Sequence, residues 1–169
     1  MNFFTKTMLG LAALGLAACS DPARFGDGSG TDAGAAGGFV AGSPSDPSSP
    51  AYFQQTVGDR VLFEVDQSSL SDSAIATLNG QAQWLLTNTD YTVLIEGHAD
   101  EQGTREYNLA LGARRANSVS EYLVSRGVSP ARIRTVSYGK ERPIALCSDE
   151  ACYAQNRRAV TVVTAGASS

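Results

Sequence analysis

GHADEQGTREYNLALGARRA, residues 97–116, sets one acidic and one basic residue where a folded domain can present both to a single small zwitterion. Immediately before it, YTVLIE (residues 91–96) is rich in β-branched and aromatic residues, the composition of a buried strand, and it runs into a Gly97-His98-Ala99-Asp100 turn. A helix is expected to begin near Thr104. Along it Asn108, Leu111, Gly112 and Arg115 fall at i, i+3, i+4 and i+7, so they share one face, with Arg115 about two turns (~10.5 Å) beyond Asn108. That face looks back toward the loop bearing Asp100. Two arrangements fit the spacing: Asp100 and Arg115 clamp a ligand, or they form an internal ion pair that caps the helix.

The surrounding chain alternates strands and helices. RVLFEV (60–65) reads as a first strand, followed by a turn through Asp66-Gln67-Ser68. Ser71 then caps a helix whose stripe is Ile75, Leu78, Ala82 and either Leu85 or Leu86. The helix that starts near Thr104 ends at Arg126, with Gly127 as its C-cap and Pro130 three residues on. A third strand spans 133–138, a short helix 152–156 and a last strand 158–164. Trp84 and Tyr91 are expected at the core or its edge, and His98 as a turn histidine bonded to backbone. Such alternation buries helices against one sheet face.

The fixed positions of the 97–116 stretch resemble the OmpA-like peptidoglycan-binding family, whose hallmark runs G-H-[TCA]-D-x-x-G-x(4)-N-x-x-L-x-x-x-R-A. The segments Glu106–Gly112, VSYGKERP (136–143) and NRRAV (156–160) resemble, within that family, its peptidoglycan-associated lipoprotein branch. The likeness covers about residues 52–164. It implies an α+β sandwich, a mixed four-stranded sheet with helices on one face. It also implies a non-catalytic ligand site for the diaminopimelate residue of the peptidoglycan stem peptide. Carried across by motif position, Asp100 meets the ammonium and Arg115 forks onto the carboxylate, with directional bonds that lysine does not offer. Asn108 fixes loop or peptide orientation, and Leu111 shares its face. Phe63 and Asp66 stand where the family's Phe-Asp-Phe-Asp motif lines the same pocket, although Glu64 and Val65 depart from that motif. Of Arg157 and Arg158, one is placed to brace Asp100 or Glu96.

The N-terminus carries Lys6, an apolar run from Met8 to Ala18, and Cys19 after Leu16-Ala17-Ala18. That is a secretory signal over residues 1–18, too short for the ~20 residues of a bilayer-spanning helix. Leu-Ala-Ala-Cys resembles the bacterial lipobox, which implies acylation of Cys19 and a membrane anchor. Ser20 is not the aspartate that retains lipoproteins in the inner membrane, so outer-membrane delivery with the domain facing the periplasm is expected. Residues 19–55, rich in Gly, Ala, Ser, Pro and Asp, read as a disordered tether of ~30–36 Å typical span, and residues 56–169 as the folded domain.

Losing Lys6 leaves 12 basic against 17 acidic residues. A net charge of about −5 argues against nucleic acid as a partner. Cys147 and Cys152 flank Ser148–Ala151, and in an oxidising compartment a disulfide is expected there in preference to free thiols. No metal site or cofactor is expected, because two thiols with one distant His98 match no familiar spacing.

The resemblance also implies a periplasmic propeller partner like TolB, and a part in the Tol-Pal system of envelope integrity and cell division. Two other functions stand beside it: a wall-binding lipoprotein outside that system, or a peptidoglycan hydrolase using Glu96, His98 and Asp100. The hydrolase lacks a nucleophile, metal triad or acid–base pair at suitable spacing.

Overall fold

The computed structural model describes residues 40–166. Four strands, β1 (Arg60–Leu62), β2 (Tyr91–His98), β3 (Ile133–Gly139) and β4 (Arg158–Ala165), form one mixed sheet in the order β1-β4-β2-β3. β4 is antiparallel to both neighbours, pairing Leu62 with Arg158 and Gly97 with Ala159. β2 and β3 run parallel, so they need a long crossover between them, which α3 (Arg105–Ser125) supplies. α2 (Asp72–Thr87) joins β1 to β2, and the core places Leu78, Ala82 and Leu85 of α2 with Ala116, Val119 and Leu123 of α3 against Val93, Ile95, Ala159 and Val163 of the sheet. The expected α+β architecture with a mixed four-stranded sheet is the one observed.

The helix limits follow from local chemistry. Ser71 accepts a hydrogen bond from the Ala74 amide and Thr104 from that of Tyr107, so each satisfies an orphan donor at its helix start. At the other end of α3, Gly127 takes φ of 99° and lets the chain leave the helix. Leu85 is fully buried, whereas Leu86 is half exposed, which resolves the ambiguity of that stripe. Ile75 is only partly buried, and Gln81 is wholly buried instead. Its amide donates to the Gly58 carbonyl at 2.7 Å and accepts from the Thr161 hydroxyl at 2.8 Å, so it carries no unpaired polar atom inward.

Two expectations about boundaries need correction. The packed unit begins before residue 56: Phe53 is completely buried, in a helical stretch made of α1 (Pro50–Tyr52) and a π turn (Phe53–Gly58). Trp84 explains the docking, since its ring lies 4.9 Å from Phe53 and 5.1 Å from Tyr91, and its indole N–H donates to the Pro47 carbonyl. A single Phe among Ser, Pro and Ala residues gave no periodicity to read. Secondly, β1 stops at Leu62 rather than Val65. The Phe63 amide still reaches the Arg157 carbonyl at 2.9 Å, but the chain then turns away, and Asp66 adopts φ of 57°, which a strand cannot hold. Cys19, the leader and most of the expected tether lie outside the described residues.

One close approach positions the site. A side chain on Gly97 would collide with the Gly112 carbonyl, and one on Gly112 with the Ser137 hydroxyl, so α3 sits directly on the ends of β2 and β3. The Ser137 hydroxyl donates to the Leu109 carbonyl at 2.6 Å and fixes this seating. Asn108 and Arg115 therefore reach the loop that follows β2.

Candidate functional site

Three segments converge at the C-terminal end of β2: the loop from Phe63 to Leu70, the loop from Ala99 to Thr104, and α4 (Glu150–Asn156) with Arg157 behind it. Between the first two lies a cleft of ≈ 230 Å³, lined by Val65, Asp66, Asp100, Gln102, Tyr107, Asn108 and Leu111 among others. Four of the six ligand residues expected from the sequence, Asp66, Asp100, Asn108 and Leu111, face this one space. Phe63 and Arg115 do not line it. Phe63 is buried, and the Arg115 guanidinium lies over its ring, 5.2 Å from the ring centre.

Arg115 is fully buried, and its hydrogen bonds go to backbone. Nε donates to the Gln67 carbonyl at 2.8 Å, Nη1 to that of His98 at 2.8 Å and Nη2 to that of Glu64 at 3.1 Å. The guanidinium thus ties the loop after β1 to the end of β2, beneath the cleft. A guanidinium has five N–H donors, so one hydrogen on each terminal nitrogen is left over. Burial lowers its pKa to about 10 against the opposing pull of Asp100, and it stays charged at neutral pH.

The internal pair of Asp100 with Arg115 is not what forms. Asp100 is nearly buried and pairs with Arg157 instead, Nη1 to Oδ2 at 3.2 Å, while its other oxygen accepts from the Gln102 amide at 3.2 Å. Arg157 is itself held by the Phe63 carbonyl through Nε and by the Glu150 carboxylate through Nη2. Of the two alternatives for Arg157, it is Asp100 and not Glu96 that it braces. Asn108 is buried and donates to the Gln102 carbonyl at 2.7 Å, holding the 99–104 loop. Lys140 grips the same loop from outside, donating to the carbonyls of Glu101 and Gly103. Across the mouth of the cleft the Tyr107 hydroxyl donates to Asp66.

Three of these contributors escaped sequence reasoning, as did Tyr153, whose hydroxyl donates to Glu101 in the 99–104 loop at 2.9 Å. Tyr107, Lys140, Glu150 and Tyr153 act through contacts 7 to 52 residues apart in the chain. Only Glu150 left a local trace, in the first turn of a helix capped by Asp149. Cys147 and Cys152 are joined by a disulfide, with their Cα atoms 5.7 Å apart.

His98 departs from expectation. Its imidazole is buried, and neither ring nitrogen has a hydrogen-bond partner among the described residues, Glu96 lying 3.6 Å away, beyond bonding distance. Burial, helped by the cations of Arg158 and Arg142, pushes its pKa down to about 4. The folded protein keeps His98 neutral, whereas the unfolded chain takes up a proton below pH ~6.5. His98 thus contributes stability that is complete above pH ~6.5 and is lost as the pH falls toward about 4, by about 3 kcal/mol. Urea denaturation of wild type and His98→Gln at pH 7.5 and pH 4.5 should show the larger fall for wild type; equal falls would remove His98 from the account.

The arrangement is one of binding, with an acid at each side of a small cleft and a guanidinium underneath. Residues 62–157 match the OmpA family. The chain is 56% identical over 129 residues to the peptidoglycan-associated lipoprotein of Rhizobium meliloti (strain 1021), covering 76% of this chain and 73% of that one. The chain belongs to the OmpA family, in its peptidoglycan-associated lipoprotein branch. The lipoprotein of the same name from Agrobacterium fabrum (strain C58 / ATCC 33970) is 48% identical over 152 residues, covering 89% of this chain and 82% of the relative. Among solved structures, the peptidoglycan-associated lipoprotein from Burkholderia pseudomallei superposes with a TM-score of 0.64 at 44% identity, over 72% of this chain and 98% of that one. Membership in this branch of the OmpA family makes the chain a structural rather than a catalytic protein.

Proposed function

We propose that the cleft between the 63–70 and 99–104 loops binds the diaminopimelate residue of the peptidoglycan stem peptide. The observation that carries this is the convergence of Asp66, Asp100, Asn108 and Leu111 on one cleft above a buried guanidinium. A zwitterionic ligand brings its ammonium to Asp100 and Asp66. Its carboxylate is met by Arg115, whose guanidinium leaves two N–H groups over beneath the cleft. Only a guanidinium can keep three carbonyls and still offer such donors. The net negative charge of the mature chain is no obstacle, because recognition is local.

The rest of the chain turns this binding into a tether. Acylation of Cys19 holds the protein in the outer membrane, the stretch before the domain spans to the wall, and the folded part grips the stem peptide. In the Tol-Pal system a TolB-like propeller engages the same molecule during envelope constriction. The names of the relatives support the wall association.

The test uses the mature chain without its lipid. It should co-sediment with diaminopimelate-type sacculi, and free meso-diaminopimelate should release it where L-lysine, which lacks the second carboxylate, does not. Equal binding to lysine-type sacculi would overturn the ligand assignment, and release of soluble muropeptides would restore the hydrolase. Mass spectrometry of proteins retained from a periplasmic extract tests the propeller partner.

A further inference from the structure

We infer that Glu150, held in place by the Cys147–Cys152 disulfide, keeps Asp100 available to a cationic ligand. This rests on the proposed ammonium site. Asp100 and Arg157 alone are a neutral pair, a poor receptor for an ammonium. Arg157, however, also bonds Glu150 through its other terminal nitrogen. The set Asp100, Arg157 and Glu150 then carries one formal negative charge, and the guanidinium is shared between two carboxylates instead of neutralising one. Asp100 is the member that lines the cleft, so the excess charge is felt there. Glu150 is a positioning residue, acting through Arg157.

α4 has little else to hold it. Its seven residues are too few for a stable helix on their own, and its buried side chains are Cys152 and Asn156, so no large apolar group anchors it. Asn156 supplies polar ties, accepting from the amides of Ile144 and Ala145 and donating to the Ala145 carbonyl. The disulfide supplies the covalent one, at the turn that presents Glu150. Cys152 also donates its amide to Asp149 at 3.1 Å, fixing the helix start one residue before Glu150. Tyr153 adds a second link to the same loop, its hydroxyl donating to Glu101 at 2.9 Å.

The experiment measures binding of meso-diaminopimelate by titration calorimetry at low ionic strength, for wild type, Glu150→Gln, the double variant Cys147→Ser/Cys152→Ser, and the triple combination. Glu150→Gln should weaken binding by about five- to tenfold. Because the Glu150 side chain is 66% exposed, that loss should shrink as salt is raised, which a purely structural role would not produce. The double serine variant should lose about as much, and adding Glu150→Gln to it should change little, since both act through one contact. Binding by wild type with Glu150→Gln within about twofold of it overturns this inference alone. Additive losses in the triple variant overturn the link to the disulfide. If wild type itself fails to bind, the ammonium site falls and this inference with it.

Discussion

Arg115→Ala should lower the melting temperature by about 10–20 °C, the largest stability effect of any single change at the site. Three carbonyls, those of Glu64, Gln67 and His98, lose a charged donor, and the bond to His98 is buried. The empty volume beside Phe63 adds a cavity, and the two effects together cost about 3–5 kcal/mol. Arg115→Lys should fall between wild type and alanine, because one ammonium on a flexible stem cannot span three carbonyls arranged about a planar fork. Thermal denaturation followed by circular dichroism measures both. An Arg115→Ala melt within about 2 °C of wild type would sink the claim that this guanidinium ties the two loops. One consequence bears on function: reduced wall binding by this variant counts as loss of a ligand contact only when measured far below its own melting temperature.

The sequence showed where α3 starts and stops because the signals are local. Thr104 caps one end, Gly127 closes the other, and the apolar face repeats between them. β2 and β4 were legible through their β-branched runs. What could not be read is the partner of each charge. Arg115 bonds carbonyls 17 to 51 residues away, and backbone acceptors are the same in every residue, so nothing in the pattern announces them. The Asp100–Arg157 pair spans 57 residues; the resemblance offered it as one alternative among several, while spacing alone pointed equally to Arg115, much nearer in the chain. The place of each guanidinium in the fold decides between them. Arg115 spends its donors on the carbonyls of Glu64, Gln67 and His98 beneath the loops, whereas Arg157, just before β4, reaches Asp100. Phe53 was missed for a related reason, since a single aromatic becomes core only when Trp84 and Tyr91, over thirty residues on, stack around its site.

The largest functional effect should come from Asp100→Asn, which keeps the shape and the ability to accept from the Gln102 amide but removes the charge. A ligand ammonium entering the cleft would then face an amide, with Arg157 balanced behind it by Glu150, so the attraction from this side is lost. For a nearly buried group that loss is typically 2 kcal/mol or more, which corresponds to at least about thirtyfold in sacculus affinity. Stability should change much less than in Arg115→Ala, because Arg157 keeps Glu150 and the Phe63 carbonyl as partners. If Asp100 serves only as a counter-ion to Arg157, the forecast inverts: the melting temperature drops and wall binding, measured well below it, is unchanged. Co-sedimentation with diaminopimelate-type sacculi over a range of protein concentrations, with circular dichroism on the same preparations, separates the two. Wild-type affinity in a folded Asp100→Asn variant would remove Asp100 from the site, and the ammonium would then have to be met by Asp66 alone, at the mouth of the cleft beside Tyr107.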